Sequence, residues 1–224
     1  MRFDIVIPSV KLRPYVRQIA ISENENEQTY KIFPSAGLVV GFQYRGRLSL
    51  VNGSVENRLS PSGITGISDS FKIFKNTAGT GTILVYFTET GFAQFSSRPV
   101  QELFNQSVSL DNLFDKHKVA AVEETLALAL TDSERVKAVE TFLEEQLKEK
   151  SEDQLIVRAV ALIYGSRGGM RIKELLQQLH ISQGAFEKRF RKLVGTTPKK
   201  FASIVRFNTV LKDLGQEKSL TEIC

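Results

Sequence analysis

Residues Arg171 to Leu214 read RIKELLQQLHISQGAFEKRFRKLVGTTPKKFASIVRFNTVLKDL. Ile172, Leu175, Leu176 and Leu179 recur at helical spacing and make one apolar face, so the run predicts a short helix. Leu179-His180-Ile181 is long enough only for a turn, and Ser182 stands where an N-cap residue would accept a backbone N–H. The second helix is predicted to bury Ala185, Phe186, Phe190 and Leu193 and to expose Gln183, Gly184, Glu187, Lys188, Arg191 and Lys192. Gly195 closes it as a C′ glycine does. Pro198 then opens a longer helix with the apolar stripe Phe201, Ile204, Val205 and Leu211. Two short helices across a compact turn, the second basic on its free face, predict a helix-turn-helix.

The distribution of charge supports that reading. The 224-residue chain carries a net +5, yet residues 171–214 hold ten Lys/Arg against three Asp/Glu. Residues 1–170 hold 19 against 20, and the last ten residues one against two. All the excess positive charge therefore falls on one segment, as in a chain built to meet a polyanion there, and DNA is the obvious one. An apolar fraction of 42% and a charged fraction of 25% are those of an ordinary soluble protein, long enough for two modest domains. Cys224 is the only cysteine, so no disulfide can form within the chain, which fits a reducing compartment. The opening MRFDIVIPSV has an acid at position 4 and a proline at 8, so it lacks a signal-peptide core, and no run approaches a membrane span. These features predict a cytoplasmic protein with no membrane partner.

Outward from the helical segment, strand signals begin at Ala36. GLVVGFQY and RLSLV flank Arg45-Gly46, which predicts a hairpin turn, and Asn52-Gly53 predicts the tip of a second one. GITGIS, FKIF and TILVYFT follow, separated by Asp-Ser and by a glycine-rich turn. Short β-branched and aromatic strands at regular spacing predict a small antiparallel sandwich or barrel. Residues 1–35 show an apolar opening and an acidic, Asn-rich loop from Glu23 to Gln28. After Thr88, short helical pieces are predicted near Gly91–Phe95, Pro99–Phe104 and Leu110–Phe114, then a helix from Lys116 to Leu130. Thr131-Asp132-Ser133-Glu134 has the form of a capping box and opens a helix with Val136, Val139, Phe142, Leu143 and Leu147 on one stripe. That stripe suits a dimer surface or packing on its own domain equally well. Lys148 to Asp153 reads as a linker, and Gln154 to Tyr164 as the first helix of a second domain. The predicted class is α+β, with a β domain and helical hairpin in 1–150 and an all-α domain in 151–224.

Catalytic constellations are hard to assemble from this composition. A metal-holding β barrel needs two or three histidines plus a carboxylate on facing strands, and the chain has only His117 and His180, neither in a predicted strand. Cys224 has no neighbouring base, and Gly79-Thr80-Gly81-Thr82 lacks the lysine and following helix of a phosphate loop, so it reads as a hairpin connection. No cofactor, metal or enzymatic activity is expected. Phe42, Tyr44, Phe71, Phe74, Tyr86 and Phe87 cluster among the strands and fill a core or line a ligand cavity. Alternation puts Phe42 and Tyr44 on one face and sends Tyr86 and Phe87 to opposite faces.

Ile181-Ser182, Phe186, Lys188, Phe190, Gly195, Thr197-Pro198, Lys199, Phe201 and Arg206-Phe207 resemble the first DNA-binding half of an AraC-type (AraC/XylS) transcription regulator. The family pattern is roughly S-x-x-x-L-x-R-x-F-x-x-x-x-G-x-x-P-x-x-[YF], followed by a linker helix. This chain departs from it with Phe186 for Leu, Lys188 for Arg, and Leu176 for a small Ala; Lys supplies a point charge where Arg supplies a planar fork. The resemblance implies double-stranded DNA as a partner and a cupin-like N-terminal domain in residues 1–150, and it leaves room for a small-molecule effector and a homodimer. A regulator whose β domain serves only dimerisation or protein contacts is the alternative.

By the same resemblance, the helix starting after Ser182 lies in the major groove, and the base-touching positions match Gln183, Gly184, Glu187 and Lys188. Gln pairs with adenine, Glu accepts from cytosine, Lys donates to guanine, and Gly184 offers backbone approach. Arg189, Arg191, Lys192, Lys199 and Lys200 fall where phosphates run and would set affinity and salt dependence. The family carries a second unit after the linker helix. Here Gly215-Gln216 reads as a turn and Ser219-x-x-Glu222 as a capping box, after which the sequence ends at Cys224. The expectation is a form truncated at the start of its second helix-turn-helix.

Overall fold

The computed structural model describes residues 1–148 and 151–214. Gly215-Gln216, the Ser219–Glu222 capping box and Cys224 lie outside the described residues, as do two positions of the charged segment read as a linker. The fold is α+β, and the described residues form ten strands in two antiparallel sheets, followed by six helices.

The strands are β1 (Arg2–Val6), β2 (Val16–Asn24), β3 (Gln28–Ile32), β4 (Val39–Arg45), β5 (Leu48–Asn52), β6 (Val55–Arg58), β7 (Ser62–Thr65), β8 (Lys72–Asn76), β9 (Thr80–Phe87) and β10 (Ser107–Ser109). The large sheet has the order β1-β2-β9-β4-β7-β10, the small one β3-β8-β5-β6. Asn52-Gly53 does turn a hairpin, since Asn52 pairs with Val55. The Arg45-Gly46 hairpin is not formed. β4 pairs with β7 and β9 in the large sheet, whereas β5 pairs with β6 and β8 in the small one. The glycine-rich turn at 79 likewise crosses between sheets instead of closing a hairpin. The two crossings are stapled together: Thr77 and Arg47 exchange bonds of 3.0 Å, and Thr80 Oγ1 reaches the Arg47 backbone. Gly46 has φ +66°, and a Cβ there would sit 2.4 Å from the Thr80 hydroxyl oxygen, so this corner demands glycine on two counts.

Alternation divides the large sheet into two faces. Ile19, Ile21, Val40, Phe42, Ile83, Val85 and Phe87 are buried on the outer face, under the helices. The helices there are α1 (Lys116–Leu128) and α2 (Asp132–Gln146). Asp115 caps α1 by accepting from His117 and Lys118 N–H, and Thr131 with Glu134 forms the capping box of α2. The α2 stripe packs on its own chain: Phe142 meets Phe42 at 5.9 Å and Phe114 at 5.6 Å, both edge-on. That use excludes the same stripe from a dimer surface. Tyr44 shares the Phe42 face, its ring under the Arg135 guanidinium at 4.4 Å. Phe87 turns outward to Phe92 and Phe95, while Tyr86 turns inward. The predicted short pieces after Thr88 are 3-10 turns at Gly91–Gln94, Val100–Leu103 and Leu110–Asn112.

The remaining helices are α3 (Gln154–Gly165), α4 (Ile172–Leu179), α5 (Gln183–Val194) and α6 (Pro198–Leu214). His180, at φ +50°, ends α4 as an exposed left-handed cap, so it is a corner residue. Ser182 holds the N-cap position of α5 but makes no side-chain cap bond. Gly195, at φ +98°, closes α5 by donating its N–H to Arg191 O. The helical core is aromatic. Phe186, Phe190 and Phe201 are fully buried, Phe190 lying 5.5 Å from each of the other two, and Tyr164 meets Phe201 edge-on at 5.8 Å. Ala185 is exposed and Leu193 half-buried; Val194 is buried in their place, which rotates the apolar face of α5 toward its C-terminal end.

Candidate nucleic-acid interface and the cavity between the sheets

The helical part is seated on the β part by α5, whose C-terminal end packs on the 3-10 turns at 91–94 and 100–103. Gly195 lies against Val100 so closely that a Cβ would come within 3.0 Å of it. Beside this contact, Tyr164 of α3 donates to Glu89 Oε1 at 2.6 Å, and Arg17 of β2 pairs with the same oxygen. Glu89 is almost fully buried, and burial with this carboxylate raises the Tyr164 hydroxyl above the usual phenol range. None of these three residues was singled out by sequence, because each becomes informative only when the two parts meet.

With its C-terminal end covered, α5 presents the opposite face. Ser182, Gln183, Gly184, Lys188, Arg191 and Lys192 are all exposed there. Glu187 is half-buried, and its Oε1 accepts from Gln183 Nε2 at 3.0 Å, an i,i+4 pair that orders both side chains before any ligand arrives. The cations predicted to meet phosphate divide into two groups. All five are exposed, and among the described residues Lys199, Arg191 and Lys192 make no ion pair. Arg189 instead grips Asp153 with two bonds, at 2.9 and 2.7 Å, and Asp153 is also the N-cap of α3. Lys200 Nζ is 2.6 Å from Asp69 Oδ2 and 4.7 Å from the Phe104 ring centre. Asp69 is held in turn by Asn105, whose side chain donates to Asp69 Oδ1 and accepts from its backbone N–H.

Lys200 and then Asn105 hold the Asp69 carboxyl below its usual range. A carboxylate lowered by folding contributes stability that is fully present above the unfolded pKa, near 4, and lost as pH falls through the folded value. Both side chains are partly exposed, so the contribution is expected to be about 1 kcal/mol or less. Acid titration of stability should therefore show a small loss below pH about 4 that Asp69→Asn removes. An unchanged acid limb in Asp69→Asn would mean that the pair is not formed in solution.

The inner faces of the two sheets enclose a cavity of about 480 Å³. Its floor on the large sheet is low because Gly41 and Gly63 lie opposite each other in register, with Leu84 and Tyr86 alongside. Tyr30, Lys72 and Phe74 come from the small sheet, Tyr30 stacking on Phe74 at 6.2 Å. Phe74 and Tyr86 are the members of the predicted aromatic set that line it. Phe42 and Phe87 belong to the outer core, and Phe71 is exposed beneath Lys31. Asn24, also a lining residue, keeps a buried side-chain oxygen without a hydrogen-bond partner. Phe33 at the cavity rim meets Phe207 of α6 at 6.2 Å, and Ser68 and Ser70, flanking Asp69, line the same cavity. The cavity wall and the basic helical part thus touch at two points.

Among the described residues no group of three His, Cys, Asp or Glu side chains converges on a metal-sized site, and no helix is long and apolar enough to cross a membrane. A family described as Domain of unknown function (DUF6597) matches residues 4–109, which covers the strands and ends before α1. No curated protein matches the chain by sequence. Among solved structures, ToxT from Vibrio cholerae is similar over 100% of this chain and 88% of its own, with 7% identity and a TM-score of 0.45. Unsaturated fatty acid bound wild-type ToxT from Vibrio cholerae strain SCE256 is similar over 90% and 82%, with 10% identity and a TM-score of 0.42. The AraC-like transcriptional activator CuxR is similar over 98% and 89%, with 12% identity and a TM-score of 0.32.

Proposed function

We propose that the chain is a sequence-specific DNA-binding transcription regulator of the AraC type and not an enzyme. In this reading residues 151–224 bind double-stranded DNA, and residues 1–150 form a cupin-like domain that takes a small-molecule effector in the cavity. The observation that carries it is the face of α5: the segment holding all the excess positive charge presents Gln183, Gly184, Lys188, Arg191 and Lys192 to solvent together. A helix so exposed, entered from a tight turn, has the shape and charge to lie in a major groove. Lys199, Arg191 and Lys192 then meet phosphate. Lys200 and Arg189 join them only by leaving Asp69 and Asp153. Because Ser68 and Ser70 line the cavity on either side of Asp69, an occupant that shifts this loop would change how readily Lys200 is released.

The test is DNA affinity measured against salt, on random-sequence duplex and on sequences selected from random DNA. Each phosphate contact contributes a slope of about −0.9 in log K against log salt. Lys199→Ala should flatten the slope by about one such contact for every sequence alike. Lys200→Ala should flatten it by less, and Asp69→Ala should strengthen binding, since it frees a cation. A salt-independent affinity, or a selection that returns no preferred sequence, would sink the reading.

A second reading is favoured by β1, an edge strand whose Phe3, Ile5 and Ile7 side of the chain is exposed and apolar. There the β part serves dimerisation or protein contacts and takes no effector. Concentration-dependent dimers that are lost in Ile5→Lys, with no ligand ever found for the cavity, would favour it.

A further inference from the structure

The chemistry of the cavity narrows what it can hold. Its lining includes no aspartate or glutamate, but it includes two cations, Lys72 and Arg58. Arg58 is exposed, whereas Lys72 is half-buried at the inner face of β8. Lys72 Nζ donates to Ser107 Oγ at 2.9 Å, and it makes no salt bridge among the described residues. Ser107 Oγ is shared with Thr65 Oγ1 at 3.1 Å, so Lys72 stands at the head of a small group of hydroxyls. An ammonium taken from water without a counter-charge is unfavourable. Consistently, burial holds Lys72 below the usual lysine range. Flat apolar walls come from Tyr86 and Leu84 of one sheet and Phe74 and Tyr30 of the other, over the side-chain-free floor at Gly41 and Gly63, while Asn24, Gln28 and Gln43 add polar groups elsewhere in the lining.

We propose that the cavity takes an organic molecule with one anionic group, a carboxylate or sulfonate, seated on Lys72 and the Ser107 hydroxyl, and a flat apolar body between the aromatic walls. This inference rests on the reading of the cavity as a ligand site and adds the ligand's class. The anion supplies the charge that Lys72 lacks, and the body replaces water over a surface that gains nothing from hydration. A neutral sugar or polyol is disfavoured, because it would leave the Lys72 ammonium without a counter-charge. A dianion is disfavoured because only one half-buried cation faces the cavity.

The test uses two fluorescent probes of similar shape on the full chain: anionic 1-anilinonaphthalene-8-sulfonate and uncharged N-phenyl-1-naphthylamine. Both should bind the wild-type protein. Lys72→Met should weaken the sulfonate about tenfold or more, the loss expected for a hydrogen bond to a charged group, and leave the neutral probe within about twofold. Lys72→Arg should retain the sulfonate, and Arg58→Met should change neither probe. Gly41→Leu should remove both, since a Cβ at Gly41 already lies 3.4 Å from Leu84 Cδ2 and a longer side chain fills the floor. Retained binding of the neutral probe in Lys72→Met shows that the fold is intact. If Gly41→Leu removes both probes but Lys72→Met affects them equally, or Arg58→Met matches Lys72→Met, the anion seat is overturned and the cavity stands. If neither probe binds the wild type, or Gly41→Leu changes neither, the cavity reading itself fails.

Discussion

Replacing Phe190 by alanine is expected to destabilise the helical part by about 3–5 kcal/mol, the range found when a buried phenylalanine is truncated. Phe190 is 0% exposed and touches both Phe186 of its own helix and Phe201 of α6, so it is the residue that ties α5 to α6. Small domains have total stabilities of about 5–15 kcal/mol, so this one change removes a large share. The cavity left behind cannot collapse easily, because Phe186 and Phe201 are themselves fixed by helices closed at Gly195 and opened at Pro198. Phe186→Leu, which restores the residue usual in the resembled family, should cost less, because it leaves the Phe190–Phe201 contact in place. Denaturant unfolding followed by far-UV circular dichroism measures both. A loss below about 1 kcal/mol in Phe190→Ala, the scale of an ordinary surface change, would show that α5 and α6 are not held by this contact.

The helical half was legible because its signals are local. The Thr131–Glu134 capping box, the glycine at 195 and the proline at 198 each act within one turn of chain, and each sits where the spacing predicts. The β half was legible only in part. β1 is exposed along nearly its whole length and β2 is buried on both faces, so neither shows the alternation that marks a half-buried strand. The Arg45-Gly46 corner carries good turn residues, but those residues do not say whether the next strand pairs with the last one or leaves for another sheet. That choice is made by Thr77 and Thr80, some thirty residues away. The seat at Lys72 left a trace that could have been used. Alternation in FKIF puts Lys72 on the same face as the inward Phe74, and a lysine facing a core invites the question of what it binds. Asp69 and Lys200 are 131 residues apart, and nothing local to either announces their pairing.

Lys188 is where the proposed reading of DNA is most exposed to test. It stands on the solvent face of α5, one turn beyond Gly184 and beside the ordered Gln183–Glu187 pair. In the proposed reading a side chain there reaches a base edge, whereas Lys199 at the start of α6 reaches the phosphate backbone. Lys188→Ala should therefore cost about 1–3 kcal/mol on the preferred sequence and relax the preference at one base position. On random duplex its effect should be small and uniform, because non-specific binding rests on phosphate contacts. Lys188→Arg should hold or improve the preference, since a guanidinium can grip guanine with two donors where an ammonium offers a point charge. Glu187→Gln probes the neighbouring position separately: it breaks the charge of the Gln183 pair but leaves Lys188 in place, so the base lost from the preferred sequence should be a different one. The measurement is selection from random DNA repeated on each variant, with affinities for the winning sequences at one fixed salt concentration. If Lys188→Ala weakens all sequences equally and flattens the salt slope, Lys188 is a phosphate contact, and α5 does not lie in the groove by the face assigned to it.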